Sequence, residues 1–235
     1  MSDAASGGGD GGGSGAALAE PAMPQDRALL TLVQWLSPAF PVGGYAYSHG
    51  LEWAIRAGAV RDAAGLQGWL ADVIAQGSGR SDALLLALSL APGADHAGLA
   101  AHARALAPAK ERLVETMDQG RAFTLATNAL LGQDHAPAPL PVAVGRAAAG
   151  LGLPVERVLA LYLHGFASGL VQGAVRFVPL GQTEGQQVLA ALHPVIGRIA
   201  RWAAVAGLDD LGSAGFGSDM AAMAHEAMEV RIFRS

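Results

Sequence analysis

The chain of 235 residues contains no cysteine. No disulfide can staple it, which suits a reducing compartment, and stability has to come from a buried core that a chain of this length can supply. Lysine is almost as scarce, with Lys110 the only one. A P-loop closes on Gly-Lys-Ser/Thr, whereas Lys110 is followed by Glu111, so no phosphate cradle of that type is present. The arginines are scattered and the net charge is −5. Tracking a nucleic-acid backbone needs clustered positive charge, so that partner is excluded. Charged residues make up only 15% of the chain against 51% hydrophobic. So little charged surface implies that part of the apolar surface is covered by another protein.

Other absences narrow the reading further. The start, Met1 to Gly7, has neither a basic nor an apolar segment of the kind that directs secretion, and a cytoplasmic protein is expected. Residues 158–175 have the length of a membrane span and carry Gly165, Gly169 and Gly173. However, His164, Ser168 and Gln172 recur at the same period, and such a polar stripe makes insertion unfavourable. A buried soluble helix is expected there, its glycines admitting a neighbouring helix. No stretch alternates in the manner of a strand.

What is present has helical period. Residues 1–25 are Gly, Ser, Ala, Asp and Pro with almost no large apolar side chain, and read as a disordered tail that cannot offset its ordering entropy. The remainder, residues 26–235, reads as one all-α domain, a single compact bundle of about ten helices. Leu29, Leu32, Val33 and Leu36 share a face; prolines and glycines over 37–44 break the pattern; a helix is expected over 48–57, and Asp62 opens the next. Further helices are expected over 82–91, 95–106, 108–131 and 142–151, then from Pro154 onward. Thr183-Glu184-Gly185-Gln186 fits a capping box for a helix kinked at Pro194. Ser218 or Asp219 is placed to cap a last helix that runs to the C-terminus.

The search for a catalytic site fails at identifiable residues. His225-Glu226 has the beginning of a zinc-protease helix, but Glu229 stands where the second histidine is needed, which leaves an exposed His–Glu pair. Ser168 lies inside a helix and not at a strand-to-helix turn. Asp209-Asp210 would suit a helical metal- or diphosphate-dependent enzyme, the alternative function, but Ser213 stands where a further carboxylate is wanted. The seven histidines show no i, i+4 pair, so no metal site and no stably bound cofactor is written locally. The last helix is more informative: Met220, Met223 and Met228 line it and the chain closes on Arg231-Ile232-Phe233-Arg234-Ser235. Methionine-rich faces adapt to partner grooves, and a Phe between arginines is anchor chemistry.

Three segments, in order and spacing, resemble the urease accessory protein UreF family. They are Ser37-Pro38-Ala39-Phe40-Pro41-Val42-Gly43-Gly44-Tyr45-Ala46-Tyr47-Ser48-His49-Gly50-Leu51-Glu52, the run from Ala174 to Gln186, and Asp219 to Met223 with His225-Glu226 and the ending Arg231 to Ser235. The resemblance covers the chain from about residue 27. It implies an all-helical homodimer without activity of its own. Such a protein bridges the accessory protein UreD (also called UreH) and the GTPase UreG, and so modulates the GTPase cycle in the complex that delivers nickel, as cargo, to apo-urease. The resemblance implies a UreG-side surface at Pro41, Gly43, Tyr45, Ser48 and Glu52. It implies a UreD-side surface at Met223, His225, Glu226, Arg231, Phe233 and Arg234. The stretch Ala227-Met228-Glu229-Val230 is more apolar than the family pattern.

Overall fold

Proline and glycine set most of the boundaries between helices, and burial decides which helices lie at the centre. The computed structural model describes residues 24–234, without the side chain of Tyr45. The tail expected over residues 1–25 therefore falls, up to Met23, outside the described residues. Eleven α-helices are present among those described: α1 Gln25–Trp35, α2 Leu51–Arg56, α3 Ala63–Ala75, α4 Ser78–Leu90, α5 His96–Ala105, α6 Lys110–Leu131, α7 Leu140–Ala148, α8 Val155–Ala174, α9 Gln182–Ala191, α10 His193–Ala203 and α11 Phe216–Glu226. They contain no strand. The fold is all-α, as expected.

α4 is the central helix. Six consecutive residues, Ser81 to Leu86, are buried, which a helix can do only when neighbours cover every side. α7 and α8 pack most extensively on it, with α3, α5 and α10 completing the enclosure. α10 lies along α8, and α7 also packs on α6. Two glycines make these contacts close. A Cβ at Gly145 would lie 2.6 Å from the Ser89 Cβ, and one at Gly120 would strike the Ala138 carbonyl oxygen and stand 2.6 Å from Leu140 N.

Local chemistry explains the ends. Asp62 and Asp95 cap α3 and α5 by accepting from Gly65 N–H at 2.8 Å and Gly98 N–H at 2.9 Å, satisfying donors that a helix start leaves open. Gly132, with φ +64°, ends α6. Other boundaries differ from expectation for physical reasons. α2 begins at Leu51 and not at 48, because His49 and Gly50 both adopt positive φ (53° and 75°). The expected kinked helix around Pro194 is two helices: Pro194 sits in the first turn of α10, where its missing N–H costs nothing. The cap of α9 is Gly181, whose N–H donates to Glu184 at 2.8 Å, so Thr183 lies inside the helix. α11 starts at Phe216 after Gly215, two residues before Ser218, and stops at Glu226 instead of reaching the C-terminus. Residues 227–234 continue as an irregular strap of turn and bends.

α8 holds the segment that had the length of a membrane span. No helix among the described residues is long and apolar enough to cross a membrane.

Candidate partner-binding site

The strap decides the arrangement of the site. It runs back across α2 and the loop before it, and two of its backbone N–H groups are caught by one side chain. Glu52, in the first turn of α2, accepts from Ile232 N–H at 2.9 Å and from Phe233 N–H at 2.9 Å. Arg56, one turn on, donates to the Val230 carbonyl at 3.3 Å. Arg234 N–H donates to the Ala46 carbonyl at 2.7 Å. These bonds satisfy groups that an irregular segment would otherwise leave to water.

His225 ties the strap's root to the core. The expectation of an exposed His225–Glu226 pair is corrected here: His225 is fully buried. Its ring bridges two carboxylates, Nδ1 to Glu111 at 2.7 Å and Nε2 to Glu52 at 3.1 Å. Glu226 is exposed, and its carboxylate accepts from Glu111 N–H at 3.1 Å, filling an open donor at the start of α6. Arg231 reaches the same Glu111 from the strap at 2.5 Å. Burial alone would raise the carboxyl pKa of Glu52, but the Phe233 N–H, His225 and the Ile232 N–H outweigh it and hold Glu52 below the usual carboxylate range.

Phe233 supplies the apolar anchor. Its ring lies 3.4 Å from where a Cβ would stand on Gly173 and packs edge-on against Phe177 at 5.3 Å between centroids. The expected helix neighbour of the glycine stripe is therefore replaced by three different situations. Gly165 faces the Leu36 carbonyl, Gly169 faces open space, and Gly173 faces Phe233.

The residues expected on two separate surfaces thus meet at Glu52. Glu52, from the first set, holds His225, Ile232 and Phe233, from the second set and its immediate neighbours. Ser48 is buried and accepts from Glu52 N–H at 3.4 Å. Pro41 and Gly43 lie in the preceding loop, Pro41 exposed and Gly43 with φ +70°. The backbone of Tyr45 is in a short 3-10 turn, Gly44–Ala46; its side chain is outside the described residues. Met223 is half exposed on α11, beside the exposed Phe216 and Met220. These three fall at i, i+4 and i+7, one apolar stripe facing solvent.

Sequence reasoning missed Glu111, Arg56 and Tyr47. Glu111 figured there only as the residue that spoils a P-loop, yet it receives both His225 and Arg231. Tyr47 is buried beside Asp118, to which its hydroxyl donates at 3.4 Å, and the Arg234 side chain hydrogen-bonds it from the strap. Burial, the larger effect, raises its pKa although Arg234 opposes this.

Beneath the loop runs a buried polar network. Asp82 accepts from Arg112 at 2.7 Å and from the Tyr162 hydroxyl at 3.0 Å. Glu115 pairs with Arg112 at 3.4 Å and accepts from His49 at 2.8 Å and Gln119 at 2.9 Å. His49 Nδ1 stands 3.2 Å from Ser78 Oγ. Desolvation would raise Glu115, but His49 and Arg112 prevail and hold its carboxyl below the usual range. The network fixes the strained His49 backbone, and with it the loop that leads into α2.

Among the described residues no three His, Asp or Glu side chains are arranged to hold a metal ion. Asp209 and Asp210 are exposed in a short turn that Asp210 closes by accepting from Gly207 N–H at 2.9 Å.

The UreF family model matches residues 60–193. A urease accessory protein UreF of Cereibacter sphaeroides is 64% identical over 208 residues, which cover 88% of this chain and 99% of that protein. Proteins of the same description from Roseobacter denitrificans and Paracoccus denitrificans are 53% and 51% identical. They cover 88% and 89% of this chain, and 94% and 97% of those proteins.

Proposed function

The chain belongs to the UreF family, urease accessory proteins and not enzymes, and from that footing we propose that it bridges UreD and the GTPase UreG while nickel is delivered to apo-urease. The observation that carries this reading is the strap. Three residues assigned by resemblance to the UreD side (His225, Phe233, Arg234) are bonded to Glu52 and Ala46, in the segment assigned to the UreG side. A protein that occupied the stripe Phe216, Met220 and Met223 would meet the root of that strap. One that occupied the loop 41–48 would meet its tip.

Without a P-loop, the chain acts on the GTPase by binding. Preference for one nucleotide state shifts the population of that state. Holding the GTPase beside the metal-receiving partner raises its effective concentration. Nickel is the cargo of the complex and no resident cofactor of this chain is invoked. The protein works as a homodimer in the cytoplasm, and the exposed Leu30 and Val33 on α1 offer an apolar patch for self-association.

The experiment is a co-purification with UreD and UreG, followed by urease activation with and without this chain. The reading expects a complex containing all three proteins and activation that depends on the chain. Full activation in its absence, or capture of neither partner, contradicts it.

A further inference from the structure

The polar stripe of α8, His164, Ser168 and Gln172, has no part in the partner-binding site. Its first member faces another histidine. His193, the first residue of α10, brings its ring to 5.7 Å from that of His164 between centroids, tilted by 42°. α8 and α10 pack along each other, so both backbones are held by the core. His193 is exposed and His164 half-buried, so solvent reaches the pair.

The other buried or half-buried histidines are committed. His49 bonds to Ser78 and Glu115, His96 to the Ser89 carbonyl, and His225 to Glu111 and Glu52. His164 and His193 make no hydrogen bond among the described residues, and their ring nitrogens are left for a ligand. Burial, and then the neighbouring His193, hold His164 below its ordinary value. A neutral imidazole presents one nitrogen lone pair, and two such rings side by side attract a shared cation and not an anion.

The spacing suits one ion. A metal bound to an imidazole nitrogen stands about 2.0–2.1 Å from it, and so about 3.2 Å from the ring centre. At ligand angles of roughly 90–120°, two rings on one ion have centres roughly 4.5–5.5 Å apart. The observed 5.7 Å reaches that range by a small rotation of an exposed side chain.

We propose that His164 and His193 form a two-histidine site for a divalent transition-metal cation of the nickel or zinc class. Imidazole suits those ions, whereas Mg²⁺ takes oxygen ligands. With two protein ligands the remaining positions fall to water, so the ion exchanges readily and no closed structural site results. Such a site holds cargo in transit; this role rests on the proposed function, in which the complex delivers nickel.

The test titrates Ni²⁺ into the untagged full chain by calorimetry, with Mg²⁺ as the hard-cation control. Ni²⁺ should bind and Mg²⁺ should not, and the paramagnetic ion should broaden the ring proton resonances of His164 and His193 first. His164→Phe keeps a ring against α10 but removes both nitrogens, and His193→Ala removes the exposed partner. Each should weaken Ni²⁺ about tenfold or more, at least what loss of an outer-shell partner costs a metal site. His102→Ala, exposed on α5, should change nothing, and the thermal midpoint of His193→Ala should equal the wild type. No uptake of Ni²⁺, broadening confined to other histidines, or unaltered binding to either ligand variant overturns the site. At limiting Ni²⁺, urease activation with His193→Ala should be slower than with the wild-type chain; equal rates overturn the transit role. If the wild-type chain supports no activation, the proposed function fails, while calorimetry still decides the site.

Discussion

Glu52 is the residue on which the site turns. A hydrogen bond to a charged group contributes roughly 1.5–3 kcal/mol when well made, and Glu52 makes such bonds to two strap amides and to His225. Glu52→Ala should therefore release the strap while leaving the helical core folded. Trypsin should then cut after Arg231 many times faster than in the wild type. Equal cleavage rates would show that the strap is held elsewhere. The pH dependence has a definite sign. The folded-state pKa of Glu52 lies below its ordinary value of 4.5. Its contribution is present above 4.5 and is lost as pH falls through the lower folded value. Glu115 acts in the same sense. Amide proton shifts of Ile232 and Phe233 should report this titration with a midpoint below 4.5, and a midpoint above it would contradict the geometry. At this scale the sequence was only partly legible. Glu52 and His225 were both singled out, but 173 positions separate them, and only the fold could join them. The burial of His225 had no signal in the pattern His225-Glu226, because Glu111 and Glu52, the groups that compensate it, come from distant helices.

Among the elements, α6 and α11 carry the consequences. α6 and α7 approach closely because Gly120 leaves room for Ala138 and Leu140. Gly120→Ala should cost about 1–3 kcal/mol or more through overpacking against backbone, although alanine is the better helix former. A urea midpoint equal to the wild type would sink that account. α11 buries Ala221, Ala222 and His225 and exposes Phe216, Met220 and Met223. Met220→Asp with Met223→Asp should abolish UreD capture with little change in stability, since both side chains face solvent. Retained capture would move the UreD surface off this helix. Helices were legible where period and caps agreed, as at Asp62, Asp95 and Gly132. They were misjudged where a backbone departure depended on tertiary packing. Gly50 is left-handed against Ala221 and Ala222, with no space for a Cβ, and nothing within 48–57 reveals that neighbour. The end of α11 at Glu226 is set by bonds to α2, not by a breaker in its own sequence.

For the whole molecule, an all-helical architecture was legible from composition and period alone, because both are local properties. The contiguity of the two expected partner surfaces was not, because it arises from the chain's last residues folding back on residues 46–56. That contiguity is the central claim. It is tested most directly by removing residues 230–235 and measuring, on purified proteins by size-exclusion chromatography, how much UreG co-elutes with the complex of this chain and UreD. The account predicts that UreD capture is weakened by the loss of Arg231, Phe233 and Arg234 but persists through α11, while the UreG that co-elutes per UreD captured falls at least tenfold, because the tip of the strap no longer braces the loop 41–48. UreG co-elution equal to that of the full chain would contradict it.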